Sequence, residues 1–296
     1  MSQSSDFIRT MFKQGDDVRD AGLTTPEDIV RCDDILYGTD PAWQKLDVYR
    51  PKAAGTAALP VIISIHGGGW VYGDKERYQY YCMNLAQRGF AVVNFTYRLA
   101  PEFQFPAGLE DTNLVAGWIL DHAAAYGLDT GHIFAVGDSA GGHMLALYAA
   151  ICTNPDYAAA YSTFRVPAGF GLTAIGLNCG VYLLGADVGV DDLTMSIMQD
   201  LLPGGGTAEE LAQISAVNFI TEDYPPTLYM TCTGDFLKNQ APYLSAVLLE
   251  KNIPHEFHYF GDSHTELGHV FHLNMKSDTA AQCNDIECGF FKRFLK

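Results

Sequence analysis

Ser139 stands in the run Gly137-Asp138-Ser139-Ala140-Gly141-Gly142, directly after apolar Phe134, Ala135 and Val136 and before Met144, Leu145, Leu147 and Tyr148. The first group reads as the end of a buried strand and the second as a helix that begins almost at once. A chain reversing from strand to helix without a loop forces its pivot into a strained conformation. Neighbours two positions away must then be small, or their side chains collide across the turn. This G-x-S-x-G pattern lifts a serine hydroxyl clear of a sheet edge, at the positive end of a helix, and suits it to nucleophilic attack.

A serine hydroxyl is a weak nucleophile until a base takes its proton, and the base needs an acid to orient it. With a nucleophile raised in this way, the acid and then the histidine should follow at later strand ends. Thr227 to Cys232 reads as such a strand, and Asp235 comes off its end in Thr233-Gly234-Asp235. Glu222 and Asp223 precede that strand, at the wrong end, and read as solvated loop charges. Beyond the strand ending at Phe260 lie His264, His269 and His272. His264 would need only a tight turn to reach the site. His269 needs residues 261–268 to fold out and return, which Gly268 would make easier. Ser263, in Gly261-Asp262-Ser263-His264-Thr265, imitates the nucleophile motif but fails at its fifth position and has no helix close behind it.

The tetrahedral intermediate of acyl transfer carries a negative oxygen that needs donors. His66-Gly67-Gly68-Gly69-Trp70 follows the strand Val61–Ile65 directly. Glycines there can turn backbone N–H groups toward a substrate oxygen with no Cβ in the way, and the N–H of Ala140 would complete the set. The run lacks the spacing of a phosphate-binding loop. Trp70 and Tyr72 stand beside it as candidate substrate-binding residues, and their bulk favours short acyl groups.

The elements that must position these residues alternate. Short, β-branched apolar runs at Leu59–Ile65, Gly89–Phe95, Ile133–Val136, Ala174–Asn178, Thr227–Cys232 and Glu256–Phe260 read as strands of a mainly parallel sheet. Helical segments near Tyr78–Gly89, Leu109–Tyr126, from Ala140, and Ala241–Lys251 cover both faces, which is an α/β architecture. Two further strands lie in Ile29–Gly38 and Lys45–Pro51, and the first thirty or so residues suggest short helices outside the main core. Between Val181 and Pro226 the periodicity is helical only, an insertion whose Leu193, Ile197, Met198, Leu201 and Leu202 would face the sheet or line a pocket. No linker or repeat divides the chain, so 1–296 reads as one domain, with a cap from about 1–28 and about 185–222.

The 296 residues carry a net charge of −17 with no basic stripe, which argues against nucleic acid as a partner. No run approaches the roughly 18 consecutive apolar residues of a membrane span, and no secretion signal is visible at the N-terminus. Seven cysteines without regular spacing indicate free thiols and a cytoplasmic location. Cys283 and Cys288 lack a second pair to make a metal site. No residue set has metal-ligand spacing, and neither a metal nor a cofactor is expected. The sequence leaves a homodimer open.

HGGGW, YRLAPE at Tyr97–Glu102, FPAGLED at Phe105–Asp111 and GDSAGG, continued by PPTLYMTCTGDFL and GHVFH, resemble the hormone-sensitive-lipase family of α/β-hydrolases. The likeness runs from about Lys45 to the end of the chain. It implies an α/β-hydrolase fold with a small helical cap and cofactor-free hydrolysis of a small-molecule carboxylic ester. Position by position, Ser139 is the nucleophile, Asp235 the acid, and Gly68, Gly69 and Ala140 the oxyanion donors. The family's base sits in an H-G-F-like triplet, and His269-Val270-Phe271 is the nearest match. Two departures stand out. The loop before that histidine is longer than the family's tight turn, which keeps His264 in play. DFLKN also replaces a motif that often holds a proline and a second aspartate. The chemistry implied is short-chain ester hydrolysis through an acyl-enzyme. An arylformamidase-like amide hydrolase is the alternative, though the intact glycine motif favours an ester. A non-catalytic small-molecule receptor on the same fold is disfavoured because every triad candidate is present.

Overall fold

The computed structural model describes residues 2–185, 188 and 190–295. Its strands are β1 (Ile29–Leu36), β2 (Lys45–Pro51), β3 (Leu59–Ile65), β4 (Ala91–Phe95), β5 (Leu128–Asp138), β6 (Ala174–Asn178), β7 (Thr227–Cys232) and β8 (His255–Phe260). The helices are α1 (Gln3–Asp20), α2 (Lys75–Ala86), α3 (Ala107–Tyr126), α4 (Ala140–Thr153), α5 (Pro155–Ala158), α6 (Asp192–Leu201), α7 (Ala208–Gln213), α8 (Ala241–Glu250) and α9 (Asp278–Lys292).

The strands form one sheet in the order β1-β2-β4-β3-β5-β6-β7-β8. β1, β2 and β4 pair antiparallel, and every later pairing is parallel. The central strands are apolar on both faces because helices cover both. Val61, Ile63 and Ile65 face one core layer, while Ile62, Phe134 and Leu228 face the other. Parallel strands read this way because neither face meets water.

Register carries the functional consequence. Ile65 lies opposite Gly137, Asp138 opposite Asn178, Asn178 opposite Met230 and Cys232 opposite Phe260. The C-terminal ends of β3, β5, β6, β7 and β8 therefore share one edge. The glycine loop leaves β3, Ser139 leaves β5 and Asp235 leaves β7, all on that edge, where ligands bind in open α/β sheets.

The N-terminal segment departs from expectation. It is a single 18-residue helix, capped by the Ser2 hydroxyl accepting from Ser5 N–H, and not several short ones. Its apolar stripe is thin: Ile8 is buried and Phe12 packs partly against the core, while Phe7, Met11 and Val18 stay exposed. Polar contacts complete its docking. Arg9 donates to the carbonyls of Val71 and Ala100 and pairs with Glu102 of the YRLAPE motif at 2.6 Å. Ser2 donates to Asp200 of α6 at 2.7 Å, and Ser5 reaches the same carboxylate. The insertion holds α6 and α7; residues 186, 187 and 189 of the expected cap, and the chain ends 1 and 296, lie outside the described residues. Ile197, Met198, Leu201 and Leu202 are buried as a core-facing stripe, with Leu193 partly so.

Candidate active site

β5 passes into α4 through Ser139 alone, whose φ of 51° and ψ of −120° no ordinary side chain adopts without strain. Surrounding bonds hold it there: Ser139 N–H donates to the Asn178 carbonyl at 2.9 Å, and its own carbonyl accepts from His143 N–H at 3.0 Å. The flanking glycines are obligatory. A Cβ on Gly137 would lie 2.5 Å from the Gly141 carbonyl oxygen, and one on Gly141 would lie 2.0 Å from that of Ile65. The hydroxyl sits at the N-terminus of α4, where unpaired N–H groups favour negative charge.

The glycine loop folds tightly against this turn. Gly68 has φ 115° and Gly69 φ 61°, and a Cβ on Gly68 would fall 2.1 Å from the Tyr72 carbonyl. Gly67 N–H is consumed by the Tyr78 hydroxyl at 2.8 Å, and that hydroxyl donates to Asp138 at 2.7 Å. Among the described residues, none accepts from the N–H groups of Gly68, Gly69 or Ala140. Three free donors beside one serine form a ready anion cradle. His66 steadies the loop: it is buried, stacks on Tyr97 at 4.0 Å between ring centroids, and contacts the Gly67 carbonyl through Nδ1 at 2.7 Å. Burial pushes its pKa down to about 4, so it stays neutral.

Asp235 and His269 meet in a hydrogen bond. His269 Nδ1 lies 2.6 Å from Asp235 Oδ1. The same carboxylate accepts from Leu237 N–H at 2.9 Å and from the Thr231 hydroxyl at 2.5 Å. Burial works to raise the Asp235 carboxyl, but the hydrogen bond and charge of His269, with those other donors, outweigh it and hold the group below the usual range. The acid stays ionised and fixes the histidine with Nδ1 protonated, leaving Nε2 to accept. Phe236 packs against the imidazole at 4.3 Å between centroids.

His264 is elsewhere. It is exposed, in a turn where Asp262 accepts from its backbone N–H and from that of Thr265. The loop does fold out and return: Thr233 N–H donates to the Phe260 carbonyl, Gly234 N–H to that of Leu267, and Gly234 and Gly268 form a parallel bridge. That bridge sets His269 beside Asp235. Gly268 does not supply the turn's freedom: it is not among the residues with positive φ, and a Cβ there would meet nothing within 4 Å. The left-handed residue is Val270, at φ 53°, in the position glycine holds in the H-G-F triplet. His272 is fully buried against Tyr81 with no side-chain hydrogen bond to Asp235, and burial takes its pKa down to about 3.

Two cavities meet at Ser139. One, of about 260 Å³, contains His269, Asp138, Gly68, Tyr72 and Phe236, with Phe12, Asp16 and Arg19 of α1 across it. The other, of about 30 Å³, is lined by Trp70, Val181, Leu193, Ile197 and Leu237. Trp70 is buried, with φ 62°, and its indole N–H donates to His143 Nδ1 at 3.2 Å. His143 Nε2 in turn donates to the Ile214 carbonyl at 2.7 Å, which ties the glycine loop to the insertion. Tyr72 donates to Asp16 at 2.8 Å and so anchors α1 above the larger cavity.

Several contributors escape a reading of the sequence. Asp138 is visible in the motif, yet its partner Tyr78 lies on α2. Burial lifts the Asp138 carboxyl to about 7, with the Tyr78 hydrogen bond opposing. Phe236 and His143 carry no motif signal beyond adjacency. Arg98 and Asp111, from two separate motifs, prove to hold each other at 3.0 Å far from the chemistry.

An eight-stranded, mostly parallel sheet with helices on both faces and a serine at the β5–α4 turn defines an α/β-hydrolase of the hormone-sensitive-lipase type. The chain belongs to the BD-FAE family, whose model matches residues 46–251. It is 36% identical over 126 residues to Esterase LipC of Mycobacterium tuberculosis, covering 42% of this chain and 31% of that protein. It is also 36% identical over 104 residues to an ethyl acetate hydrolase of Pseudomonas putida, covering 34% of this chain and 33% of that one. These matches span about a third of the relatives' length. The crystal structure of Esterase B from Lactobacillus rhamnosis superposes with a TM-score of 0.87 at 26% identity, over 98% of this chain and 95% of that one. None of the described helices is long and apolar enough to cross a membrane.

Proposed function

We propose that this chain is a serine carboxylesterase that hydrolyses short-chain, acetyl-like esters through an acyl-enzyme. The observation that carries the reading is the junction at Ser139 of a larger cavity lined by His269 with a small apolar one of about 30 Å³. Ser139 Oγ attacks the ester carbonyl as His269 Nε2 takes its proton. The new oxyanion is received by the N–H groups of Gly68, Gly69 and Ala140. His269 then returns the proton to the leaving alcohol, and water repeats the sequence to release the acid. Asp235 stabilises the imidazolium in both halves.

The small cavity takes the acyl tail and the larger one the alcohol. One water-sized group needs roughly 10–15 Å³, so the acyl side has room for about two such groups. α1 and the insertion act as the cap, over a single hydrolase domain. The unpaired cysteines support a cytoplasmic location.

Initial rates on p-nitrophenyl esters of rising chain length test the reading. Acetate and propionate should be fastest, with a fall beyond butyrate, and Ile197→Ala should move the optimum to longer chains. Rates that climb to octanoate would overturn the acyl-pocket assignment, and no hydrolysis of any ester would overturn the esterase.

A further inference from the structure

The end of β6 brings a different chemistry to the same place. Cys179 follows Asn178 with φ 49°, a left-handed conformation for a residue with a side chain, and its N–H is fixed by the Met230 carbonyl at 2.8 Å. Its Sγ, a ring nitrogen of His269 and a carboxylate oxygen of Asp235 all lie within 4.8 Å of one another. Cys179 and Asp235 are each 1% exposed. Nothing in acyl transfer calls for a thiol here.

Thiolate, imidazole and carboxylate are the donors that zinc takes, at about 2.3 Å for sulfur and about 2.0–2.2 Å for nitrogen and oxygen. Donors around such an ion sit roughly 3.3–3.8 Å apart, so small side-chain adjustments close this triangle. The positions 179, 235 and 269 have no ligand spacing along the chain. Only the shared sheet edge collects them.

We propose that Cys179, Asp235 and His269 form an inhibitory site for a thiophilic divalent cation, zinc or cadmium. The cation enters by way of the larger cavity, which His269 lines. It binds His269 Nδ1, whose proton moves to Nε2, and one Asp235 oxygen. The Cys179 thiol loses its proton to solvent and binds as thiolate. One dication meets one thiolate and one carboxylate, so the charges cancel. Neutral His269 then carries its proton on Nε2, the nitrogen that must accept from Ser139, and the ester reaction stops. The chain's net charge of −17 concentrates cations around the molecule.

The inhibition rests on the esterase reading, but the site does not, and the test separates them. Chelator-stripped protein is titrated with cadmium chloride and followed by the thiolate-to-cadmium absorption in the ultraviolet. The same protein is assayed on p-nitrophenyl acetate with zinc chloride. Wild type should develop the band with one equivalent of cadmium and lose activity to zinc, with recovery on EDTA. Cys179→Ser, checked for folding by circular dichroism, should lose the band and need at least about tenfold more zinc for inhibition. Cys32→Ser, at a partly exposed thiol remote from the site, should behave as wild type. No band in wild type, or a band and zinc sensitivity unchanged by Cys179→Ser, would overturn the site. Absent hydrolysis in metal-free protein with the band intact would overturn only the esterase.

Discussion

The turn at Ser139 and the loop that delivers His269 reach the same site by opposite means. At the turn every constraint is backbone against backbone, from neighbouring residues and from the adjacent strands β3 and β6. Gly137 and Gly141 face backbone oxygens at 2.5 and 2.0 Å from where a Cβ would stand, and strand passes to helix through one residue. Residues 261–268 are polar and mostly exposed, and the loop is held by Thr233, Gly234 and the bridge to Gly268. Ser139 is placed by a tight turn packed on the central strands, whereas His269 is placed by an exposed loop anchored at a strand end more than thirty residues away. A turn of the first kind tolerates almost no substitution. A loop of the second kind tolerates many, provided its far anchor holds.

Two glycines make that contrast sharp. Gly141→Ala puts a methyl group 2.0 Å from the Ile65 carbonyl oxygen, a backbone atom that cannot step aside. It should cost more than about 4 kcal/mol, seen as insoluble protein or a collapsed melting temperature. Gly268→Ala meets open space and should stay within roughly 0.5 kcal/mol and near wild-type turnover. Equal tolerance at both positions would break the comparison.

A smaller effect tests the ground beneath the turn. Glu287 of α9 is buried behind β6, where Tyr81 donates to it at 2.7 Å and Asn178 at 2.9 Å. Burial raises its carboxyl from the ordinary 4.5 to about 7, those two bonds opposing. The folded state therefore binds a proton that the unfolded chain releases between these values. Its contribution to stability is fully present below pH 4.5, falls as pH rises toward 7 and is gone above it. Asp138, raised in the same way, adds to the slope. Glu287→Gln should flatten the fall in melting temperature between pH 5 and pH 7, as thermal unfolding at several pH values will show. An unchanged slope would mean that Glu287 is ionised throughout.

What could be read from the sequence follows the same division. Ser139, the strands β6 and β7, and Asp235 at the end of β7 were legible because short-range pattern determines them. Residue chemistry ranks His269 ahead of His264 but does not separate them, since the Gly234–Gly268 bridge that sets His269 beside Asp235 has no local signature. The H-G-F likeness pointed to His269, yet the conformational freedom expected of Gly268 belongs to Val270. The helix α1 was read as fragments because so little of it is buried; Arg9, Ser2 and Ser5 dock it by polar bonds that periodicity does not reveal. Trp70 and Tyr72 were visible as bulk, but their partners His143 and Asp16 were not. Cys179 is one cysteine among seven in the sequence, and only the end of β6 sets it beside Asp235.

The most direct measurement is covalent labelling by a p-nitrophenyl alkylphosphonate, mapped by mass spectrometry and timed in wild type, His264→Ala and His269→Ala. The phosphonyl group should appear on Ser139 alone, at equal rates in wild type and His264→Ala. In His269→Ala it should form about 10²–10⁴ times more slowly, the usual contribution of a positioned base. An adduct on another residue, or a slow His264→Ala beside a fast His269→Ala, would contradict the assignment of Ser139, Asp235 and His269 as one catalytic unit.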